Sequence, residues 1–187
     1  MSKSTVSIAA VAAALMMWAG AGSANAQGST DYVVAGKTVT KDPAIAALVP
    51  AGLNGTVRAV TAATNIPFEY LNEKNELVGI EIDVAKAVAA KMGVKIVFDN
   101  IKFDAVIPSL QANRYDLAAA GMGDTAKREE ILNFINWKTL GHIVLSRDAD
   151  KTVNTILDLC GKRVSRVNGD AFGPWLEEEL QPKCDKA

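Results

Sequence analysis

The residues best placed to do chemistry lie between Tyr115 and Phe134, in the run YDLAAAGMGDTAKREEILNF. Leu117-Ala118-Ala119-Ala120 is a short apolar run left through Gly121-Met122-Gly123, the pattern of a central strand buried on both faces. The two glycines let other groups approach the backbone closely. Asp124 or Thr125 then reads as a helix N-cap, with Glu129 and Glu130 complementing the dipole and Arg128 about one turn in. Free amides at a helix start beside a guanidinium make a pocket for a small carboxylate, because arginine can hold two oxygens at once. The bland alternative is a solvated arginine on a surface helix. Other chemistries find little support. Glu69 and Asp170 are acids without a neighbouring His or Cys. His142 is the only histidine, so no metal cluster is expected, and nothing calls for a cofactor.

The elements that must position these residues follow from hydrophobic spacing. Val57 to Ala62 reads as a first strand, and Glu81 to Met92 as a helix with Ile82, Ala85, Val88, Ala89 and Met92 on one face and Gly93 as its stop. Val94 to Phe98 is a second strand, Asp104 to Asn113 a second helix with Pro108 near its start, and Leu117 to Ala120 a third strand. Strand and helix alternating at this spacing imply parallel strands joined by right-handed crossovers. Such sheets bind ligands beyond the carboxyl ends of their strands. The turns at Ala63 to Phe68 and Gly121 to Thr125 lie at those ends, which points to a cleft and not to a catalytic constellation.

The block FDAVIPSLQANRYDLAAAGMGDTAKREEILNF resembles the core of the periplasmic family-3 solute-binding proteins of amino-acid ABC transporters. Upstream, IPFEYLNEKNELVGIEIDVAKAVAAKMGVKIVF is similar to that family's opening block, and downstream LDLCGKRVSRVNGD to the start of its second lobe. The resemblance implies an α/β fold of the type II periplasmic-binding-protein kind, with a parallel-rich first lobe and an incomplete second α/β lobe. It implies capture of an amino acid or similar small carboxylate for an ABC permease, by closure of two lobes about the ligand. Arg128 would hold the carboxylate, with help from the amides of Gly121 and Gly123, and Phe68, Phe103 and Met122 would form apolar walls. Asn65 stands where the family has an aromatic that stacks on the ligand, and Ala62 where it has an acid. Gly123 replaces a usual serine or threonine, and Gly169-Asp170-Ala171 replaces a Gly-Thr-Thr turn whose amides meet the carboxylate. Asp170 would repel a carboxylate unless it caps its own helix.

The remainder of the chain sets the compartment. Lys3, the apolar run Val6 to Gly22 and the Ala24-Asn25-Ala26 site read as a secretory signal peptide over 1–26. No cysteine follows that run, so a lipid anchor is not expected; a periplasmic or secreted product is, not membrane-spanning after cleavage and monomeric. Residues 27–55 read as a linker ending in a short helix at Pro43 to Leu48, 56–142 as the first lobe, and 143–187 as a partial second lobe. In the last, Lys162 to Val167 reads as a strand and Asp170 to Leu180 as a helix. Cys160 and Cys184, the only cysteines, bracket the pair, and in an exported chain a disulfide is expected. A formal charge of -1 on 187 residues excludes the basic face of a nucleic-acid binder. Two other readings stand beside binding. One is an exported cyclohexadienyl-dehydratase-like enzyme with Glu69 or Asp170 as general acid; the other is a truncated remnant that cannot close on a ligand.

Overall fold

The fold is taken from a computed structural model, which describes residues 30–186. The signal-peptide expectation for 1–26 lies outside the described residues. The core is a three-stranded parallel sheet with Thr56–Thr61 in the centre, Lys95–Asn100 on one side and Leu117–Ala118 on the other. Strand β3 (Thr56–Thr61) is central because Val57, Ala59, Val60 and Thr61 are all buried, leaving Arg58 outward. It pairs over its full length with β7 (Lys95–Asn100) and over two residues with β8 (Leu117–Ala118). The third strand was expected to run to Ala120. Ala119 N still donates to Val60 O, and then Gly121, at φ +59°, turns the chain out of the ladder.

Helix α2 (Ile80–Met92) connects the first two parallel strands, and Gly93 ends it in the left-handed conformation, its N–H bonding Ala89 O and Ala90 O. Helix α3 (Val106–Gln111) follows a single 3-10 turn at Phe103–Ala105 and leads into β8. Val60, Ala62, Val106 and Ala120 form one buried cluster, with Phe103, Leu110 and Met122 packed against it. Val57, Ala89 and Val94 form a second on the other side of the sheet. A small antiparallel sheet, β4 (Thr64–Asn65), β5 (Glu69–Leu71) and β6 (Leu77–Val78), sits between β3 and α2 and shapes the loop after β3.

Within the stretch read as a linker, the chain forms a hairpin of β1 (Tyr32–Val34) and β2 (Lys37–Val39), then a short helix α1 (Pro43–Ala46) capped by Asp42. The hairpin is held on α2: Tyr32 Oη donates to Asp83 Oδ1 at 2.7 Å, and Asp42 N donates to Lys91 O at 2.9 Å. Partial burial and the Asp83 carboxylate raise the Tyr32 phenol to about 12. Replacing Tyr32→Phe removes one hydrogen bond to a charged acceptor, so a loss of about 1.5 kcal/mol in urea denaturation is expected.

The segment after Phe134 is different. The expected strand Lys162–Val167 does not form; residues 161–169 are exposed, and among the described residues no strand lies beside them. A lone strand cannot satisfy its backbone groups. The expected helix begins at α5 (Phe172–Trp175), widens into a π turn over Leu176–Leu180 and ends in α6 (Gln181–Cys184). Pro182 has no N–H for the carbonyl of Glu178, which accounts for the widened turn. Leu159 and Leu180 are buried here, and Cys160 is bonded to Cys184 with their Cα atoms 5.4 Å apart.

Candidate functional site

Thr125 caps α4 (Ala126–Glu129), its Oγ1 accepting from Arg128 N at 3.3 Å. The cap turns Arg128 back over the glycine turn. The residue is only 9% exposed, and its guanidinium donates from Nη1 to Gly123 O at 2.6 Å and from Nη2 to Gly169 O at 2.7 Å. One planar fork thus joins the turn after β8 to a turn far along the chain. Burial lowers the Arg128 pKa, and the Asp170 carboxylate partly opposes that shift. A guanidinium remains charged through any such change. Two of its five N–H groups are engaged in these bonds, which leaves donors for a ligand oxygen.

Gly169, Asp170 and Ala171 lie against this turn. A Cβ added at Gly123 would stand 3.7 Å from Ala171 Cβ and 3.8 Å from Arg128 Nη1. Both are ordinary contact distances, so a Cβ fits here and nothing in the structure explains the glycine. Asp170 Oδ1 accepts from Gly173 N at 2.9 Å and from Arg166 Nη1 at 3.3 Å. It therefore caps its own helix, the condition under which a ligand carboxylate is tolerated nearby. Asn168 Nδ2 donates to Asp104 Oδ2 at 2.8 Å, next to Phe103. Phe103 and Met122 themselves pack on the Val60 and Ala120 cluster.

Asn65, Phe68 and Gly121 belong to a neighbouring polar group that includes residues not foreseen from the sequence. Asn65 Nδ2 donates to Glu69 Oε1 at 3.0 Å, and both would clash with a Cβ at Gly121, at 2.8 Å each. The Gly121 amide, expected to face a ligand, donates instead to Glu81 Oε1 at 3.1 Å. The other Glu81 oxygen accepts from Lys138 Nζ at 2.7 Å, and that ammonium lies 3.6 Å from the Phe68 ring centroid and 4.7 Å from that of Trp137. Phe68 thus walls an ammonium of the chain itself. Glu69 is fully buried, its Oε2 without a partner, and its pKa is pushed up to about 7, chiefly by burial. The Asn65 hydrogen bond and the Lys138 charge oppose the rise, and the Glu81 carboxylate adds to it.

In the sequence Glu81 served only as the start of the Glu81–Met92 helix, and Lys138 carried no signal. Neither candidate acid stands free as a general acid: Glu69 is inaccessible, and Asp170 is held by two donors. His142 stacks on Phe172 at 5.1 Å between ring centroids. A concavity of about 420 Å³ lies beneath the disulfide, lined by Leu159, Val164, Leu176 and Leu180 among others, and includes none of the residues around Arg128.

Comparison with known proteins finds relatives among the binding proteins. An arginine-binding protein 1 of an Escherichia coli ABC transporter is 33% identical over 63% of this chain and 48% of its own length. The histidine-binding periplasmic protein of Salmonella typhimurium is 31% identical over 68% of this chain and 49% of its own. The chain thus spans about half the length of these relatives. A solved Salmonella typhimurium periplasmic binding protein of high arginine specificity superposes with a TM-score of 0.63 at 36% identity, covering 67% of this chain and 56% of that one. The fold of the matched part is therefore shared with a solved periplasmic binding protein. Residues 57–182, most of the described chain, match one family throughout, and the protein belongs to the bacterial extracellular solute-binding proteins, family 3.

Proposed function

We infer that the protein captures an amino acid or similar small carboxylate outside the cytoplasm and delivers it, as a monomer, to an ABC permease. The observation that carries this reading is Arg128: a buried guanidinium at the carboxyl end of a parallel sheet, held by carbonyls of two separate turns. A carboxylate is a stronger acceptor for that fork than a peptide carbonyl. A ligand carboxylate would take the remaining donors and draw the Gly169 turn and the Gly123 turn onto itself, which is how closure is driven by differential contacts. The relatives named for arginine and histidine make basic amino acids the first ligands to try. Binding without conversion fits a site whose two nearby acids are buried or already bonded.

The test is calorimetric titration of the purified protein with L-arginine, L-histidine and then the other standard amino acids. Saturable heat with at least one of them is expected. A folded sample, shown so by circular dichroism, that gives no heat with any of them overturns the amino-acid reading.

A further inference from the structure

Glu81 stands at a junction that the carboxylate site alone does not require. Its two oxygens serve two different parts of the chain: Oε1 takes the Gly121 amide of the site turn, and Oε2 takes the Lys138 ammonium of the segment that leads away from Phe134. Both side chains are largely buried, at 10% exposure for Glu81 and 15% for Lys138. Around that contact stand the Phe68 and Trp137 rings, Asn65, and the carboxyl of Glu69. Beyond it, residues 139–149 are exposed, and Lys138 is one of two anchors of the departing segment, the other being Asn136, whose Nδ2 donates to Asp124 Oδ2 at 2.6 Å.

Resting on the reading of the Arg128 turn as the carboxylate site, we propose that Glu81 is a relay between ligand and crossing segment. The Gly121 amide has one proton to donate, and a ligand carboxylate and Glu81 compete for it. When the ligand takes the amide, Glu81 keeps Lys138 as its main partner, and the charged pair tightens. The crossing segment is then held more firmly in the ligand-bound protein than in the free one. Reciprocity requires the converse. Without the Lys138 ammonium, surrender of the Gly121 amide would leave a buried carboxylate unpaired, so the ligand binds less well. Glu81 and Lys138 are thus positioning residues that never touch the ligand.

Nuclear magnetic resonance of the full chain tests this, with L-arginine as probe and with Lys138→Met, Lys138→Arg and Glu81→Gln as variants. Methionine keeps an apolar stem between the Phe68 and Trp137 rings, so that variant retains the packing. In the free protein, Lys138→Met shifts the Gly121 amide resonance although the two residues do not touch. With L-arginine bound, wild-type order parameters at 136–140 rise, and in Lys138→Met and Glu81→Gln they do not. Affinity for L-arginine falls about tenfold in Lys138→Met, within the range of ordinary allosteric couplings, and Lys138→Arg restores most of it. If L-arginine moves the Gly121 and Gly123 resonances while 136–140 stays unchanged, the relay is overturned and the binding reading survives. If L-arginine moves nothing, the binding reading fails for that probe. The relay is then judged on the free protein, where an unshifted Gly121 amide in Lys138→Met overturns it.

Discussion

Arg128→Lys is expected to weaken ligand binding by about 100-fold while preserving the charge, because the loss is geometric: two charge-assisted hydrogen bonds are worth ~1.5–3 kcal/mol each. The guanidinium spans Gly123 O and Gly169 O, acceptors 46 residues apart in sequence, with one rigid fork. An ammonium on a flexible stem can satisfy one carbonyl or meet a ligand oxygen, but it does not reproduce the planar fork. Arg128→Ala leaves both carbonyls without their partner and opens a buried space, so a stability loss of about 3 kcal/mol is expected alongside loss of binding. Calorimetric titration and urea denaturation of both variants check this. A lysine variant that binds as the wild type does would mean that a point charge suffices and that the two-carbonyl geometry is incidental. Freed from Arg128, the Gly169 turn also loses a tie to the glycine turn after β8, so faster proteolysis within the exposed 139–149 stretch is expected in both variants.

The parts of this architecture that were legible in the sequence are those set by local pattern. Strand β3, helix α2 and its Gly93 stop, β7 and the turn into Arg128 all follow from spacing within about a dozen residues. The Thr125 cap was one of two candidates, and Arg128 lies where the glycine turn implied. What was not legible depends on residues far apart. Gly169 meets Arg128 through a backbone carbonyl, and a carbonyl leaves no mark in the side-chain sequence. Glu81 and Lys138 are 57 residues apart, and only the return of the chain across Phe68 joins them. The hairpin at Tyr32–Val39 did carry a signal: Tyr32 and Val34 alternate before Ala35-Gly36, both at positive φ, a turn that suits strand twist. The alanine in that turn hid it. The strand read at Lys162–Val167 failed for the opposite reason, since β-branched character needs a neighbouring strand to become structure.

Glu69 makes a prediction that separates burial from binding. Its carboxyl titrates near 7 in the folded protein against 4.5 for the free side chain. Between those values the unfolded chain has released a proton that the folded protein keeps, so the Glu69 contribution is full below about pH 4.5 and is lost as pH rises through about 7. Stability should therefore fall across that window by ~3 kcal/mol and level off above it. Glu69→Gln removes the titrating group and keeps an oxygen for the Asn65 amide, while the new amide sits beside the Glu81 carboxylate, an acceptor. The variant should match the wild type near pH 4.5 and exceed it by ~3 kcal/mol at pH 8, where the wild type must hold a buried charge. The carboxylates held low by hydrogen bonds, Asp116, Asp150 and Asp158, are common to both proteins and cancel in the difference. Urea denaturation of the two proteins at pH 4.5, 6 and 8 gives the result directly. Parallel curves would show that Glu69 is ionised throughout, with its unpartnered oxygen solvated or paired with Lys138. A widening gap would show that the site's turn rests on a carboxyl that the fold keeps protonated up to about pH 7.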